Sequence, residues 1–385
     1  MFHEKGGIGV FSLFLLRALH DWQRQMKCRV IIKHDKSLNW HRENGTVNVS
    51  FNLTGQWPSP LRTAAFASKL ITLGIAERPD LVITTHLNFT PAARLLQQVT
   101  RTPYWTVAHG IEAWGIENLR LSSSLRNSDQ ILAVSNFTRN RLLDEQQLAP
   151  DRISILPNTV DGQRFDIGLK PRHLLERYKL GDDQRIILTV SRLVRSESYK
   201  GYDSVIRALP AIRKVIPKIH YILVGAGDDR PRVAQMIADL DLKESVTLAG
   251  YVSDDELCGH YNLCDVFAMP SKREGFGIVY LEAMACGKPT LGGTKDGAVD
   301  ALMNGELGAL VDPDDTIEIA STLISILKKQ YPLELMYQPE CLRKRVLDQY
   351  GYQAFQKTVG EKLDTFFNLK ATTAVPSLNP SSCAE

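Results

Sequence analysis

Short apolar runs rich in Val, Ile and Leu alternate along nearly the whole chain with stretches whose apolar residues recur at helical spacing. The runs predict strands at residues 29–33, 81–85, 104–108, 131–134 and 153–156 in the first half. The second half adds 186–190, 221–224, 246–248, 266–269, 289–291 and 309–311. Strands separated by helices predict parallel sheets with helices on both faces. Eleven such strands are too many for one compact sheet, so the pattern predicts an α/β chain of two Rossmann-like domains.

Turn residues Asp161, Gly162, Gly168 and Pro171 interrupt the periodicity. They set an N-terminal domain of residues 1–165 against a C-terminal domain of residues 166–341. A helical region over about residues 342–367 is expected to cross back and complete the first domain. Residues 371–385, rich in Thr, Ser, Pro and Ala, read as a disordered tail. No repeat with a period of about 20–50 residues is visible.

With 385 residues, 44% hydrophobic and 23% charged, the chain is neither a disulfide-stapled miniprotein, nor wholly disordered, nor a multi-span membrane protein. No run reaches the roughly eighteen apolar residues of a membrane span. Residues 9–16 have the length of a signal-peptide core, but Glu4 precedes them and no small-x-small site follows, so they read as a first helix. Lys and Arg total 46 against 43 for Asp and Glu, a net +3 that is too weak to indicate a nucleic-acid partner. Arg17, Arg24, Lys27, Arg29, Lys33 and Lys36 crowd the start, as an ordinary solvated face or a local cationic face suited to a membrane surface.

The six cysteines (Cys28, Cys258, Cys264, Cys286, Cys341, Cys383) have no framework spacing and suit a reducing compartment. Cys258, His260 and Cys264 invite a metal reading. A helix starting near Asp254 turns Cys258 some 120–160° away from the other two, at about 100° per residue, and argues against it.

Ligands of doubly wound sheets collect at the carboxyl ends of the strands. The loop after residues 266–269 reads Ser271-Lys272-Arg273-Glu274-Gly275-Phe276-Gly277-Ile278-Val279-Tyr280-Leu281-Glu282. Its glycines admit a ligand to the backbone, and a helix starting near Gly277 offers free N–H groups to a diphosphate. Glu274 and Glu282 flank that helix start and suit hydroxyls at both ends of a nucleotide sugar. Arg192 and Lys200 follow residues 186–190 and suit a diphosphate leaving group without a metal, the Arg as a bidentate donor and the Lys as a point charge.

At these residues the chain resembles the retaining glycosyltransferases of family 4, from Gly6 to about Asp315. That resemblance implies the GT-B architecture, two Rossmann-like domains facing across a cleft. It implies that Glu274 contacts the donor sugar, Glu282 the nucleotide ribose, and Arg192 and Lys200 the donor phosphates. Ala108-His109-Gly110-Ile111-Glu112 resembles the segment holding the family's active-site histidine, which makes His109 a sugar contact. Ala133-Val134-Ser135-Asn136-Phe137-Thr138 and Leu156-Pro157-Asn158-Thr159-Val160-Asp161 also resemble family segments. Gly6-Gly7-Ile8-Gly9 resembles the glycine loop through which Gly7 and Gly9 reach the donor phosphate.

The resemblance also implies that Gly225 lies in a turn beside the nucleotide, and that Tyr251 and Val252 lie near the base. Gly275, Phe276, Gly277 and Ile278 complete the implied donor site. As a dinucleotide motif, Val224-Gly225-Ala226-Gly227 fails, because Asp228-Asp229-Arg230-Pro231 lacks the third glycine. Asp312-Pro313-Asp314 mimics a metal-binding Asp-x-Asp but follows a strand and precedes a helix, and reads as an N-cap and first-turn acidic pair. No cofactor and no obligatory metal are expected.

The implied activity is transfer of a hexose from a GDP- or UDP-hexose to a glycan or glycolipid acceptor, with retention, in cell-surface polysaccharide or glycolipid synthesis. The departing phosphate oxygen would help deprotonate the acceptor. A cytoplasmic location, with peripheral contact at the inner face of the membrane, follows by analogy. The alternatives are a GT-B sugar-nucleotide 2-epimerase, whose pattern the glutamate loop does not fit, and a non-catalytic two-domain sugar-binding protein, which would normally carry an export signal.

Only Met1 to Lys5 precede Gly6, and Phe2-His3-Glu4-Lys5 extend no apolar run, so the central first strand of the N-terminal domain is expected to be missing. The expectation drawn is a chain shortened by ten or more residues.

Overall fold

The computed structural model describes residues 6–23, 26–37 and 48–373. Its first half runs α1 (Gly7–Trp22), β1 (Cys28–Ile32), β2 (Val49–Leu53), α2 (Ser59–Glu77), β3 (Val82–Thr84), α3 (Thr90–Thr100), β4 (Tyr104–Ala108), α4 (Leu119–Arg126), β5 (Gln130–Ala133), α5 (Asn136–Gln146) and β6 (Ile153–Ile155). The second half runs α6 (Arg172–Tyr178), β7 (Arg185–Val190), α7 (Tyr202–Val215), β8 (Ile219–Val224), α8 (Arg230–Asp239), β9 (Val246–Gly250), α9 (Asp254–Leu263), β10 (Val266–Met269), α10 (Ile278–Ala285), β11 (Thr290–Gly293), α11 (Ala298–Ala301), β12 (Ala309–Val311) and α12 (Thr316–Leu327). The helices α13 (Pro339–Tyr350) and α14 (Tyr352–Thr373) close it.

All eleven strands read from the apolar runs form, each within two residues of its expected ends. β2 was not expected; its sequence, VSFNL, is half-buried throughout and carries no apolar run. The strands of β4, β8 and β10 are buried at every position, which is why they read as continuous apolar runs. Alternation still sorts their side chains. Along β8, Tyr221 and Leu223 join the layer of α7 and α12, whereas Ile222 and Val224 join the layer of α9 and α10.

Every strand pairing is parallel. The second half holds a six-stranded sheet of order β12-β11-β10-β7-β8-β9. In the first half β3-β4-β5-β6 form one sheet, and β1 and β2 pair with each other in a separate one. Met1 to Lys5, on which the expectation of a shortened start rests, lie outside the described residues, as does Arg24.

The starts of α4 and α5 carry side-chain caps: Asn118 accepts from Arg120 and Leu121 N–H, and Ser135 from Thr138 N–H. The expected closing helical region is two helices, broken at Gly351. α14 lies along α1, where Trp22 Nε1–H donates to Asp364 at 3.1 Å, Tyr352 Oη–H to Asp21 at 2.6 Å, and Phe355 meets Phe11 edge-on. α14 continues to Thr373, into the stretch read as a tail, and residues 374–385 lie outside the described residues.

Candidate functional site

The order of the six-stranded sheet reverses between β7 and β10: the chain moves outward through β8 and β9 on one side, then through β11 and β12 on the other. A crevice opens outside the carboxyl ends of the two strands at such a switch point. β7 leads into Arg192 and the short 3-10 helix Arg195–Lys200, and β10 into the loop of residues 270–277 that caps α10. Topology therefore puts the two expected motifs side by side.

Lys200 Nζ and Glu274 form an ion pair across the crevice, with both side chains largely buried. Burial works against the Lys200 ammonium, but the Glu274 charge and hydrogen bond outweigh it and hold the ammonium above its ordinary range. Lys272 N–H donates to Tyr199 O at 2.9 Å and ties the two loops together. Arg192, by contrast, is largely exposed, its guanidinium 2.5 Å from Glu197 Oε1. The other Glu197 oxygen is buried without a hydrogen-bond partner.

Asp296, fully buried, shapes the Glu274 loop. Its Oδ2 accepts the Ser271 hydroxyl at 2.6 Å and Glu274 N–H at 2.7 Å, and its Oδ1 accepts Ala298 N–H at 2.9 Å. Burial pushes its carboxyl up to about 6, against the pull of those donors. Glu282 is buried in α10 with Oε2 accepting the Tyr261 hydroxyl at 2.7 Å, and burial raises it to about 7 despite that hydrogen bond. The Phe276 side chain packs edge-on against Tyr350 inside the core, and the residue as a whole is buried. Gly277 caps α10, and Ile278 is half-buried at its first turn.

Gly225 has φ +142°, and a Cβ there would overlap the Ser191 carbonyl, so its backbone is pressed against the start of the Arg192 loop. Tyr251 is exposed beyond β9, with Val252 half-buried beside it. Asp312 and Asp314 do not cap α12 as expected; Asp315 does, accepting Ile317 and Glu318 N–H. The earlier pair is taken by cations, Lys295 reaching Asp312 at 2.6 Å and Asp314 at 2.8 Å. Lys272 pairs with Asp314 as well.

The first half closes over this crevice. A Cβ on Gly275 would overlap the His109 carbonyl oxygen, and one on Gly110, whose φ is +134°, would come within 2.6 Å of Gly275 Cα. Only a pair of glycines admits so close an approach. Ser135 Oγ–H donates to Gly275 O at 2.6 Å. At the N-terminus of α5 the Asp300 carboxylate accepts Asn136 N–H at 2.9 Å, the Asn136 amide at 2.7 Å and Phe137 N–H at 3.1 Å.

His109 thus sits at the seam. Its Nε2–H donates to Thr85 O at 3.0 Å, and its ring meets Phe11 of α1 edge-on at 4.9 Å. Burial lowers it to about 4, against that hydrogen bond, so the ring is neutral near pH 7 with Nδ1 left as an acceptor. Gly7 and Gly9, expected in a loop, instead occupy the first turn of α1, with open space around the Gly7 α-carbon.

Sequence comparison agrees over most of the chain. A model described as Glycosyltransferase Family 4 matches residues 5–164, and one described as Glycosyl transferases group 1 matches residues 173–340. The chain belongs to glycosyltransferase family 4. It is 36% identical over 211 residues to a GDP-mannose-dependent alpha-(1-6)-phosphatidylinositol monomannoside mannosyltransferase of Mycolicibacterium smegmatis, covering 52% of this chain and 53% of that protein. It is 26% identical to a D-inositol 3-phosphate glycosyltransferase of Stackebrandtia nassauensis over 70% of this chain and 65% of that one. The chain spans about half the length of the first of these relatives. The Anabaena protein HepE, solved with UDP and glucose, shares the fold with a TM-score of 0.75 at 19% identity, over 94% of this chain and 96% of that one. The fold is the two-domain GT-B.

Glu197, Asp296 and Asp300 were not singled out by the sequence. Each acts on a partner: Glu197 on Arg192, Asp296 on the Glu274 backbone, and Asp300 on α5. No local spacing marks such roles. Among the described residues no group of three or more His, Cys, Asp or Glu is arranged to hold a metal ion. His260 instead bonds Tyr178 Oη at 2.8 Å, and the Cys264 thiol donates to Tyr261 O at 3.2 Å.

Proposed function

We propose that this chain transfers a hexose, with retention, from a nucleotide sugar to a hydroxyl of a glycan or glycolipid. The observation that carries the reading is the Lys200–Glu274 pair at the switch-point crevice, with Arg192 on the same loop and His109 on the facing wall. Arg192 and Lys200 neutralise the diphosphate as the anomeric C–O bond breaks. The departing phosphate oxygen accepts the proton of the acceptor hydroxyl, which attacks from the same face.

Glu274 and Lys200 satisfy each other as an ion pair. On donor binding Lys200 turns to the phosphates and Glu274 to sugar hydroxyls, an exchange of partners that leaves neither buried charge alone. Neutral His109, donating from Nε2 to Thr85, keeps Nδ1 to accept from a sugar hydroxyl. Glu282, in α10 behind the loop, holds the ribose. Gly225, Tyr251 and Val252 flank the nucleotide, and the backbone from Gly275 to Ile278 meets the diphosphate together with Gly7 and Gly9.

The relatives favour GDP-mannose as donor and a phosphatidylinositol-based glycolipid as acceptor. The catalytic cleft would then work at a lipid surface. Nucleotide release from GDP-mannose, GDP-glucose and UDP-hexoses, with and without vesicles carrying phosphatidylinositol mannosides, tests the reading. Acceptor-dependent release of GDP is expected, and release of no nucleotide from any donor would overturn it.

A further inference from the structure

Behind the crevice, Cys258 on α9 and Cys286 at the C-terminal end of α10 have Sγ atoms 3.9 Å apart. Both are free thiols. A disulfide holds its sulfurs at about 2.05 Å, so the bond requires an approach of about 2 Å, within reach of side-chain rotation and a small shift of one helix end.

Access and hydrogen bonding divide the pair into two roles. Cys258 is half-buried and Cys286 fully buried, so an oxidant from solvent meets Cys258 first. Cys258 Sγ also accepts the Asn262 amide at 3.5 Å, while its proton, when present, points to Asp166 O at 3.7 Å. The hydrogen bond from the Cys286 thiol pulls Cys258 down to about 6 and pushes Cys286 well above the ordinary thiol range. Cys264 and Cys28 differ, because burial raises their thiols to about 12 and about 11.

We propose that Cys258 and Cys286 form a reversible dithiol–disulfide site whose oxidant is a low-molecular-weight disulfide such as oxidised glutathione. The Cys258 thiolate attacks one glutathione sulfur, the S–S bond breaks, and one glutathione leaves as a thiolate. Cys286 then gives up its proton and attacks Cys258 Sγ, expelling the second glutathione. Two protein thiols are oxidised and one glutathione disulfide is reduced to two thiols.

The new bond would join α9 to α10 beside the Tyr261–Glu282 hydrogen bond, which links the same two helices. Tyr261 follows Cys258 by three residues, and Cys286 N–H donates to Glu282 O at 3.1 Å, so a displacement at either cysteine reaches the Glu282 carboxylate within one helical turn. Resting on the donor-site reading above, oxidation is expected to weaken GDP-mannose binding by about tenfold.

The test incubates the whole protein with oxidised glutathione, quenches by alkylation and maps the peptides by mass spectrometry. The expected result is a Cys258–Cys286 linkage, reversed by dithiothreitol. With Cys286→Ser a glutathione adduct should accumulate at Cys258, and with Cys258→Ser neither linkage nor a Cys286 adduct should form. Adducts confined to exposed Cys341, with both partners still alkylated, would overturn the site. Titration of GDP-mannose into the reduced and oxidised forms reads the coupling, and equal affinities would overturn that part. The map uses no nucleotide, so a failure to bind GDP-mannose in either form counts against the donor reading alone.

Discussion

Lys200 and Glu274, 74 residues apart in the chain, meet as a largely buried ion pair because the strands that carry them, β7 and β10, are neighbours at the one place where the sheet order reverses. Neither loop makes a site by itself. One brings cations and the other a carboxylate with the free N–H groups of α10, and the strand order makes them a single crevice.

If the Glu274 carboxylate serves the sugar as proposed, Glu274→Ala should abolish transfer and leave nucleotide binding, since the phosphates keep their cations. Lys200→Ala should slow transfer on the order of 10² or more and lower stability by about 1–3 kcal/mol, since it leaves a mostly buried carboxylate unpaired. Steady-state kinetics and urea unfolding of both variants check this, and near-normal turnover in Glu274→Ala would overturn the donor-site assignment.

Arg192→Ala should cost a similar factor in transfer and also about 1–3 kcal/mol of stability, since the guanidinium is exposed but its partner Glu197 is largely buried and is left with no partner for either oxygen. If the two cations suffice for the leaving group, EDTA leaves the rate of the parent protein unchanged. A loss of activity in EDTA that a divalent ion restores would contradict that account.

The strands were legible because burial on both faces writes itself as uninterrupted apolar runs, as in Tyr104–Ala108 and Val266–Met269. β2 escaped because VSFNL is only half-buried and, among the described residues, pairs on one side with β1 alone. The charged motifs were legible for a related reason: Arg192, Lys200 and Glu274 lie on the segments that leave the carboxyl ends of strands, where ligands collect. What the chain does not write locally is long-range support. Asp296 holds the Glu274 amide from 22 residues away, and Asp300 binds Asn136 across 164. Asp312 and Asp314 looked like helix caps because they precede α12 closely, but two lysines from the Glu274 side of the sheet claim them and leave the cap to Asp315.

The seam between the domains should yield to single substitutions. Gly275→Ala drives a methyl into the His109 carbonyl, and overpacking of this kind typically costs about 1–3 kcal/mol. Asp300→Ala removes an acceptor shared by Asn136 and Phe137 at a helix N-terminus, worth about 1–3 kcal/mol for a charged hydrogen-bond acceptor. Both variants should show a lower Tm, and small-angle scattering should show a larger radius of gyration as the cleft opens. An unchanged radius in Gly275→Ala would mean that the contact is absorbed within one domain.

The Glu282 carboxyl gives a pH-dependent test that needs no substrate. Burial raises it from 4.5 in the unfolded chain to about 7 in the native state, so between those values the native protein holds a proton that the unfolded chain has released. The stability this supplies is fully present below about 4.5 and is lost as pH rises through 7. Glu282→Gln keeps an oxygen to accept the Tyr261 hydroxyl but cannot ionise. Relative to the parent, the variant should therefore gain stability from pH 5 to pH 8, by at most about 3 kcal/mol at 1.36 kcal/mol per pH unit. Asp296, raised in the same sense, and His109, lowered to about 4 and acting in the opposite sense, titrate in both proteins and cancel from the difference. Thermal melts of the pair at several pH values measure it. A gap between the two curves that stays constant from pH 5 to pH 8 would mean that Glu282 is already ionised in the native core, with a partner for its charge that the Tyr261 hydroxyl alone does not provide.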